Sequence, residues 1–262
     1  MKDAAPAWKR LLAEHFGIET ASLGAACIER VIAAAMVRMG VEDPAACLER
    51  LSASREERER CLEDLVVPET WFFRDREPFV FLKQELRERW FPAHPDRTLR
   101  ILSAPCSTGE EPYSIAMTLR EPDMPTRPFR IDAADISRKA LTAAKRAVYG
   151  KTAFRYPLTD AQAAFFTPAD QGRRLIDAIA GTVRFHHADL TDPGFLAGQA
   201  PYPVVFCRNV LIYLTEAARM RVLANLDRLL APDGILFTGH SEMGFLLQQG
   251  FAAIPHPRAF AC

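Results

Sequence analysis

The sequence predicts an α/β protein: a three-layer sandwich on a parallel sheet, preceded by a small all-helical domain. Three observations carry this. From residue 99 onward, short apolar runs of strand length (residues 99–102, 129–134, 203–207 and 235–239) alternate with segments of helical period. Residues 7–67 have helical spacing throughout and no strand-like alternation. Residues 99–117, LRILSAPCSTGEEPYSIAM, pass from strand to small-residue turn to helix, the corner at which doubly wound sheets receive ligands.

In the N-terminal part, Trp8, Leu11, Leu12 and Phe16 make one apolar face before Gly17. Ile28, Val31, Ile32, Ala35 and Met39 make another before Gly40, with Arg30, Ala34 and Arg38 on a shared side. Asp43-Pro44 reads as an N-cap followed by proline at the first helical position. Ser54-Arg55-Glu56-Glu57 fits a capping box ahead of Cys61, Leu62 and Leu65. Residues 1–67 are therefore assigned to a helical domain. Pro68 breaks the pattern, and Trp71-Phe72-Phe73 has neither helical nor strand spacing. Three adjacent aromatics are expected to plug the seam between domains, holding Arg74 near it. A helix from about Asp75 to Trp90 (Phe79, Leu82, Leu86) stops at Pro92, so residues 68–97 form a linker and helix.

The remaining residues, 98–262, are assigned to the sheet domain. The first strand turns at Ser107-Thr108-Gly109, where glycine lets the backbone approach a ligand, and two acids follow, Glu110 and Glu111. A phosphate cradle needs backbone N–H groups and basic side chains there. Acids suit a ligand with hydroxyls, an amine or a positive centre, which favours S-adenosylmethionine (SAM) over a dinucleotide or ATP. The second strand ends at Asp135, about 25 residues beyond the glycine turn, where a carboxylate accepts ribose hydroxyls or caps the helix 137–147. That helix is expected to end near Tyr149-Gly150. TDAQAAFF reads as helical, RRLIDAI as a hairpin strand, and a hairpin subdomain is assigned to about residues 167–188. His186 and His187 fall on opposite faces of a strand, with no acid or cysteine completing a metal set. Arg208-Asn209 follows a fully apolar strand, at the mouth of the sheet, where polar residues tend to be functional. Thr215 opens a long amphipathic helix, and the proline-rich residues 251–262 suit edge strands.

Composition narrows the function classes. Hydrophobic residues make up 49% and charged residues 25%, and Lys+Arg balances Asp+Glu at 33 each, so no global field favours nucleic acid or anionic lipid. Six scattered cysteines without a CxxC pair argue against zinc and a disulfide framework, and for a reducing cytoplasm. The N-terminus lacks an apolar signal core, and no run approaches a membrane span.

Five blocks stand in one order: PETWFFRD, SAPCSTGEEPYSIAM, ADIS followed by AL-x-x-A, PVVFCRNVLIYL and LLAPDGILFTGHSE. Together with the helical N-terminus they closely resemble the CheR family of chemotaxis-receptor methyltransferases over nearly the whole chain. The wording VPETWFFRD looks most like members of alternative chemosensory pathways, the WspC and FrzF type. Such members often carry tetratricopeptide repeats after the catalytic domain, and such an extension would begin where this sequence ends. The resemblance implies a Rossmann-like SAM-dependent methyltransferase sandwich. It implies transfer of the SAM methyl group to glutamates on the cytoplasmic helices of methyl-accepting chemoreceptors, leaving S-adenosylhomocysteine and using no metal. Carried over by position, the implied SAM contacts are Thr70, Arg74, Glu111, Asp135 on the ribose, Asp189 and Leu190 beside the adenine, and Arg208 with Asn209. Arg74 and Tyr213 would face the acceptor carboxylate, and His240 would support the GHSE turn.

Departures from the family pattern matter. Many members have Asn where this chain has Pro68. The first forty residues hold five basic groups (Lys2, Lys9, Arg10, Arg30, Arg38) against four acids (Asp3, Glu14, Glu19, Glu29), so docking by charge should be weak or rest on Arg30 and Arg38. The short hairpin implies action without a receptor-tail pentapeptide. Two rival readings remain: a SAM enzyme for another acceptor, opposed by the FFRD and GHSE blocks, and a non-catalytic SAM-binding scaffold, opposed by Arg74, Glu111, Asp135, Asn209 and Tyr213.

Overall fold

A computed structural model describes residues 5–66 and 69–262, so Pro68 and the first four residues lie outside the description. The chain divides into two compact units, one of residues 1–67 with 210–223 and the other of 68–209 with 224–262. The segment 210–223 thus groups with the N-terminal helices, whereas the sequence assigns it to the sheet domain. Backbone pairing explains this. The Glu19 N–H donates to the Tyr213 carbonyl (2.8 Å), the Thr215 N–H to that of Gly17 (2.7 Å), and Ile18 bridges Leu214.

In the helical unit the helices run Ala5–Phe16, Ala25–Met39, Pro44–Ala53 and Arg55–Leu65. Each begins or ends for a local reason. Gly40 closes the second in the left-handed region (φ +63°), and Asp43 caps the third by accepting from Ala45 and Ala46. Ser54 caps the fourth through the Glu57 N–H, but the Glu57 carboxylate turns outward to Arg38 and Arg60, so the reciprocal half of the predicted capping box goes to ion pairs instead. Trp8, Leu12, Val31, Ala35, Cys47, Leu51 and Cys61 are fully buried and form the core of this unit.

The other unit is built on eight strands: β1 (Leu99–Ser103), β2 (Phe129–Asp135), β3 (Val148–Tyr149), β4 (Phe166–Ala169), β5 (Gly172–Leu175), β6 (Val183–His187), β7 (Tyr202–Phe206) and β8 (Leu230–Phe237). Five of them pair parallel in the order β6-β2-β1-β7-β8. The order reverses at β1/β7, the switch point where the carboxyl ends open a crevice. β3, β5 and β4 form a separate antiparallel sheet. The hairpin is therefore confined to residues 166–175. β6, which the sequence places inside the hairpin subdomain, is an edge strand of the main sheet, and the end of the predicted hairpin strand, from Asp177 on, enters the helical turn Asp177–Ala180. The helix after β2 spans Arg138–Arg146 and stops at Ala147 (φ +52°), short of the expected Tyr149, because Val148–Tyr149 is claimed by pairing with β5. The last residues do pair at the β8 edge, with Ala261 bridging Phe237.

The aromatic block belongs to the core of the sheet unit. Phe72 packs on Tyr149, Phe154 and Phe166 with centroids 4.8, 5.2 and 5.1 Å away, and Phe73 on Phe79 at 5.5 Å. They fill this unit's own interior, which corrects the expected role as a plug between domains. The helix Glu77–Glu85 lays Phe79 against Phe206 and Phe81 against Phe237, and those two rings stack at 4.3 Å. No helix among the described residues is long and apolar enough to cross a membrane.

Side chains of Arg100, Arg130, Asp132 and His186 share one sheet face by alternation. Asp132 is fully buried and accepts from His186 Nε2 (2.8 Å) and the Tyr202 hydroxyl (3.1 Å), with Arg130 and Arg100 at 3.5 and 3.6 Å. Burial alone would push its carboxyl up. The His186 hydrogen bond, the Arg130 charge and the Tyr202 hydroxyl outweigh it and hold Asp132 below the usual carboxylate range. A carboxylate depressed on folding stabilises fully above its unfolded pKa of about 3.9, and that contribution is lost as pH falls through the lower folded value. Asp132→Asn should therefore cost about 3 kcal/mol at pH 7 and flatten the acid limb of stability below about pH 4. Urea unfolding of both proteins from pH 3 to 7 measures this; parallel acid limbs would contradict it.

Candidate functional site

The site grows from the carboxyl ends of β1, β2 and β7. β1 leaves the sheet into Ala104–Ser107 and reaches Gly109 at φ +96°, where a Cβ would lie 3.0 Å from Ala144 Cβ and the Tyr149 hydroxyl. Only glycine fits there, and it leads into the helix Glu110–Thr118. Asp135, at the end of β2 and 4% exposed, ties two turns together. Its Oδ2 accepts from the Ser107 N–H (2.7 Å) and its Oδ1 from the Ser137 N–H (2.9 Å). Ser107 itself sits at φ +47°, and its hydroxyl oxygen is buried without a hydrogen-bond partner among the described residues.

Behind this turn lies a buried charge network. Glu111 accepts from the Ser103 hydroxyl (2.9 Å) and from Arg208 Nη1 (3.1 Å). Burial lifts its carboxyl above the usual value, and the Arg208 charge and the Ser103 hydroxyl limit the rise. Glu110 is also lifted by burial, with the Thr108 hydroxyl donating to it at 2.7 Å. Arg208, its side chain 1% exposed, donates further to Asp75 (2.5 Å), to the Arg74 carbonyl (3.4 Å) and from Nε to the Thr238 carbonyl (3.4 Å). The guanidinium of Arg208, expected from the resemblance to contact ligand, is thus bonded to Glu111 and to the Arg74–Asp75 loop and positions both.

Asn209 follows in the left-handed region (φ +58°). Glu242, 1% exposed, holds it there, accepting from the Asn209 N–H (2.8 Å), the Gly239 N–H (2.7 Å) and the Thr238 hydroxyl (3.2 Å). Support of the GHSE turn therefore rests with Glu242, whereas His240, to which the sequence assigned it, is exposed and leans on Phe260. The sequence signal was present in the block itself, and the buried member was the acid. At the end of β6, Asp189 is exposed and accepts from the Thr191 N–H and hydroxyl (2.8 Å each), while the Leu190 carbonyl accepts from Asn225 Nδ2 (3.0 Å).

Two N–H groups of the aromatic block are anchored, Phe72 to the Ala153 carbonyl and Phe73 to the Ser114 hydroxyl, both at 2.9 Å. Thr70 is half-buried beside them in sequence. Arg74 lies over the Trp71 ring at 4.5 Å and donates to the Glu69 carbonyl at 2.9 Å. Gly109, Glu111, Asp135, Arg208 and Asn209 thus gather at the strand ends, with Arg74 joined through its backbone.

The other candidates belong to the helical unit. Tyr213 is 40% exposed in the turn Leu211–Tyr213. Arg30 is exposed, its Nη2 3.6 Å from Cys27 Sγ. Arg38 is different: it pairs with Glu57 (3.1 Å) and Asp64 (2.6 Å), bridging the second and fourth helices. Of the expected Arg30/Arg38 docking pair, Arg38 is thus engaged in ion pairs within its own unit, while Arg30 stands exposed. His186 and His187 are taken up by Asp132 and the Ile136 carbonyl.

Comparison with known proteins fits this geometry to a family. Residues 68–260 match the model described as CheR methyltransferase, SAM binding domain. The chain is 40% identical over 253 residues to the probable biofilm formation methyltransferase WspC of Pseudomonas aeruginosa, covering 97% of this chain and 60% of that protein. Against the protein of the same description from Pseudomonas putida it is 37% identical over 252 residues, covering 96% and 59%. Against chemotaxis protein methyltransferase 2 of Vibrio cholerae it is 34% identical over 196 residues, covering 74% and 68%. The chain spans about three-fifths of the length of the two WspC relatives. With the glycine turn, the acid ending β2 and the Arg-Asn strand end all in one parallel sheet, and a family model over most of its length, the chain belongs to the CheR methyltransferase family.

Proposed function

We propose that the protein methylates glutamate side chains on the cytoplasmic helices of a chemoreceptor-like partner, with SAM as the methyl donor. The observation that carries this is the arrangement at the β1/β7 switch point. Gly109, Asp135 and Asn209 follow the carboxyl ends of β1, β2 and β7, while the acids behind them are neutralised or capped from within. The residues suit SAM. Gly109 lets the turn pack closely on Ala144, Tyr149 and Tyr113, and Ser107 keeps an orphaned buried hydroxyl beside the Asp135 carboxylate. In this reading Asp135 takes the ribose, Asn209, Asp189 and Leu190 lie toward the adenine, and Thr70, Arg74 and Glu111 lie toward the methionine part.

Bound SAM supplies a methyl group on a sulfonium, transferred with loss of charge. The chain's task is then alignment and exclusion of water. A glutamate acceptor is already ionised at neutral pH, its ordinary pKa being about 4.3. Arg74 and Tyr213 therefore need only orient it, Tyr213 by donating one hydrogen bond. No general base is required. Arg30, exposed on the second helix, contributes to docking.

Three results follow. Incubation with tritiated SAM and candidate receptor cytoplasmic domains should yield label released as methanol by mild base. Stable label or none would refute the glutamyl ester. The single-turnover rate should be flat from about pH 6 to 8.5, because the acceptor titrates near 4.3 and no base is recruited; a tenfold rise per unit through neutrality would point to another acceptor. Asp135→Ala should weaken SAM binding by about 2–4 kcal/mol in calorimetry, since a charge-assisted ribose contact is lost. A folded variant with unchanged affinity would remove Asp135 from the site.

A further inference from the structure

Arg155 has no place in the reading above, yet it is built into the same corner. Its guanidinium lies 3.9 Å from the centroid of the Trp71 ring, the ring that also carries Arg74 at 4.5 Å. Trp71 is only 9% exposed, and its indole N–H is buried with no acceptor among the described residues. The acid beside this group is Glu69. Its carboxylate accepts from Arg155 at 3.2 Å and its carbonyl from Arg74 at 2.9 Å. That ion pair is open to solvent, with side chains 48% and 60% exposed, and such pairs contribute little.

The platform is also rigid. Phe154, next to Arg155, stacks on Phe72 at 5.2 Å, and the Phe72 N–H holds Ala153. On the far side Arg76 covers Tyr156 at 4.8 Å and donates to the Pro157 carbonyl at 3.1 Å. Arginine laid on an aromatic face keeps its charge and its fork of donors, with less rotamer freedom left to lose on binding. An exposed guanidinium fixed on an aromatic face, opposed only by the exposed Glu69 carboxylate it pairs with, matches a carboxylate ligand.

We propose that Arg155, held on the face of Trp71, forms a subsite for a second acidic side chain of the acceptor polypeptide, beside the glutamate that Arg74 orients. The subsite rests on the glutamate-methylation reading for its occupant. In the free protein Glu69 stands where that side chain docks, and the incoming carboxylate displaces it. Arg155 is then a specificity-determining residue.

The test uses the full chain with Arg155→Gln, Arg155→Lys and Glu69→Gln, each checked for an unchanged circular dichroism spectrum and melting temperature. With a receptor domain that accepts methyl groups, Arg155→Gln should raise the acceptor KM about tenfold, the worth of one charge-assisted contact, with kcat and SAM affinity within about twofold. Arg155→Lys should recover part of the loss. An unchanged KM overturns the proposal. So does an equal loss of SAM affinity, which would give the subsite to the carboxylate of SAM itself. A second arm needs no methylation: binding of a capped hexaglutamate peptide, followed by tryptophan fluorescence, against hexaglutamine. The glutamate peptide should bind more weakly to Arg155→Gln and more tightly to Glu69→Gln. Equal binding by all three proteins overturns the subsite even where methyl transfer succeeds. The predicted ranking in the absence of any methyl ester would retain it and refute only the acceptor assignment.

Discussion

The buried Arg208 guanidinium is the interaction on which the sheet unit's active corner depends. It stands at the end of β7 and reaches four neighbours: Glu111 at the start of the helix after β1, the Thr238 carbonyl after β8, the Arg74 carbonyl and the Asp75 carboxylate. They lie in three segments of the chain, the Arg74–Asp75 loop, the first turn of the helix Glu110–Thr118 and the end of β8, so one side chain sets the spacing of all three. A buried ion pair is poor evidence of stability, since desolvation offsets most of the attraction. Its use here is geometric. Deleting Arg208 would leave Glu111 buried with a single hydroxyl partner and free the Arg74 loop. Such a loss is felt as disorder at the mouth of the sheet rather than as loss of core.

A parallel logic governs the second turn. Glu242 gathers two backbone N–H groups and a hydroxyl, and so holds Asn209 in a left-handed conformation. A Cβ on Gly239 would come within 2.6 Å of Glu242 Oε2, which explains why the acid can close on the turn at all. Arg208 and Glu242 together make Asn209 a fixed polar group at the switch point. Backbone strain of this kind persists where surrounding contacts over-determine it.

Much of this was legible in the sequence because it follows from local rules. The parallel sheet, the glycine turn, the caps at Asp43 and Ser54 and the buried run at β7 depend on period, propensity and turn chemistry. What was not legible depends on partners distant in sequence. Nothing in RIDAAD tells that Asp132 meets His186 and Tyr202, 54 and 70 residues away. Arg38 has the spacing of a surface residue, but two acids on the fourth helix take it inward. The grouping of residues 210–223 with the N-terminal helices rests on strand-like backbone bonds to residues 17–19, which leave no side-chain pattern.

The ion pairing of Arg38 within its own unit bears on what partner recognition has to rely on. With the helical unit near charge balance and one of its two aligned arginines neutralised, attraction from that unit alone is weak, since an exposed lone arginine is screened within about 8–10 Å. The sheet unit compensates in kind. Its exposed guanidiniums at Arg76 and Arg155 are held on Tyr156 and Trp71, so their charge is fixed in place rather than spread over a flexible side chain. Fixed charges discriminate between acceptors by geometry, whereas a diffuse basic face attracts any acidic helix. On the proposed reading, selectivity for the acceptor therefore resides beside the reacting carboxylate and not in long-range steering. That is consistent with a chain whose total charge is zero.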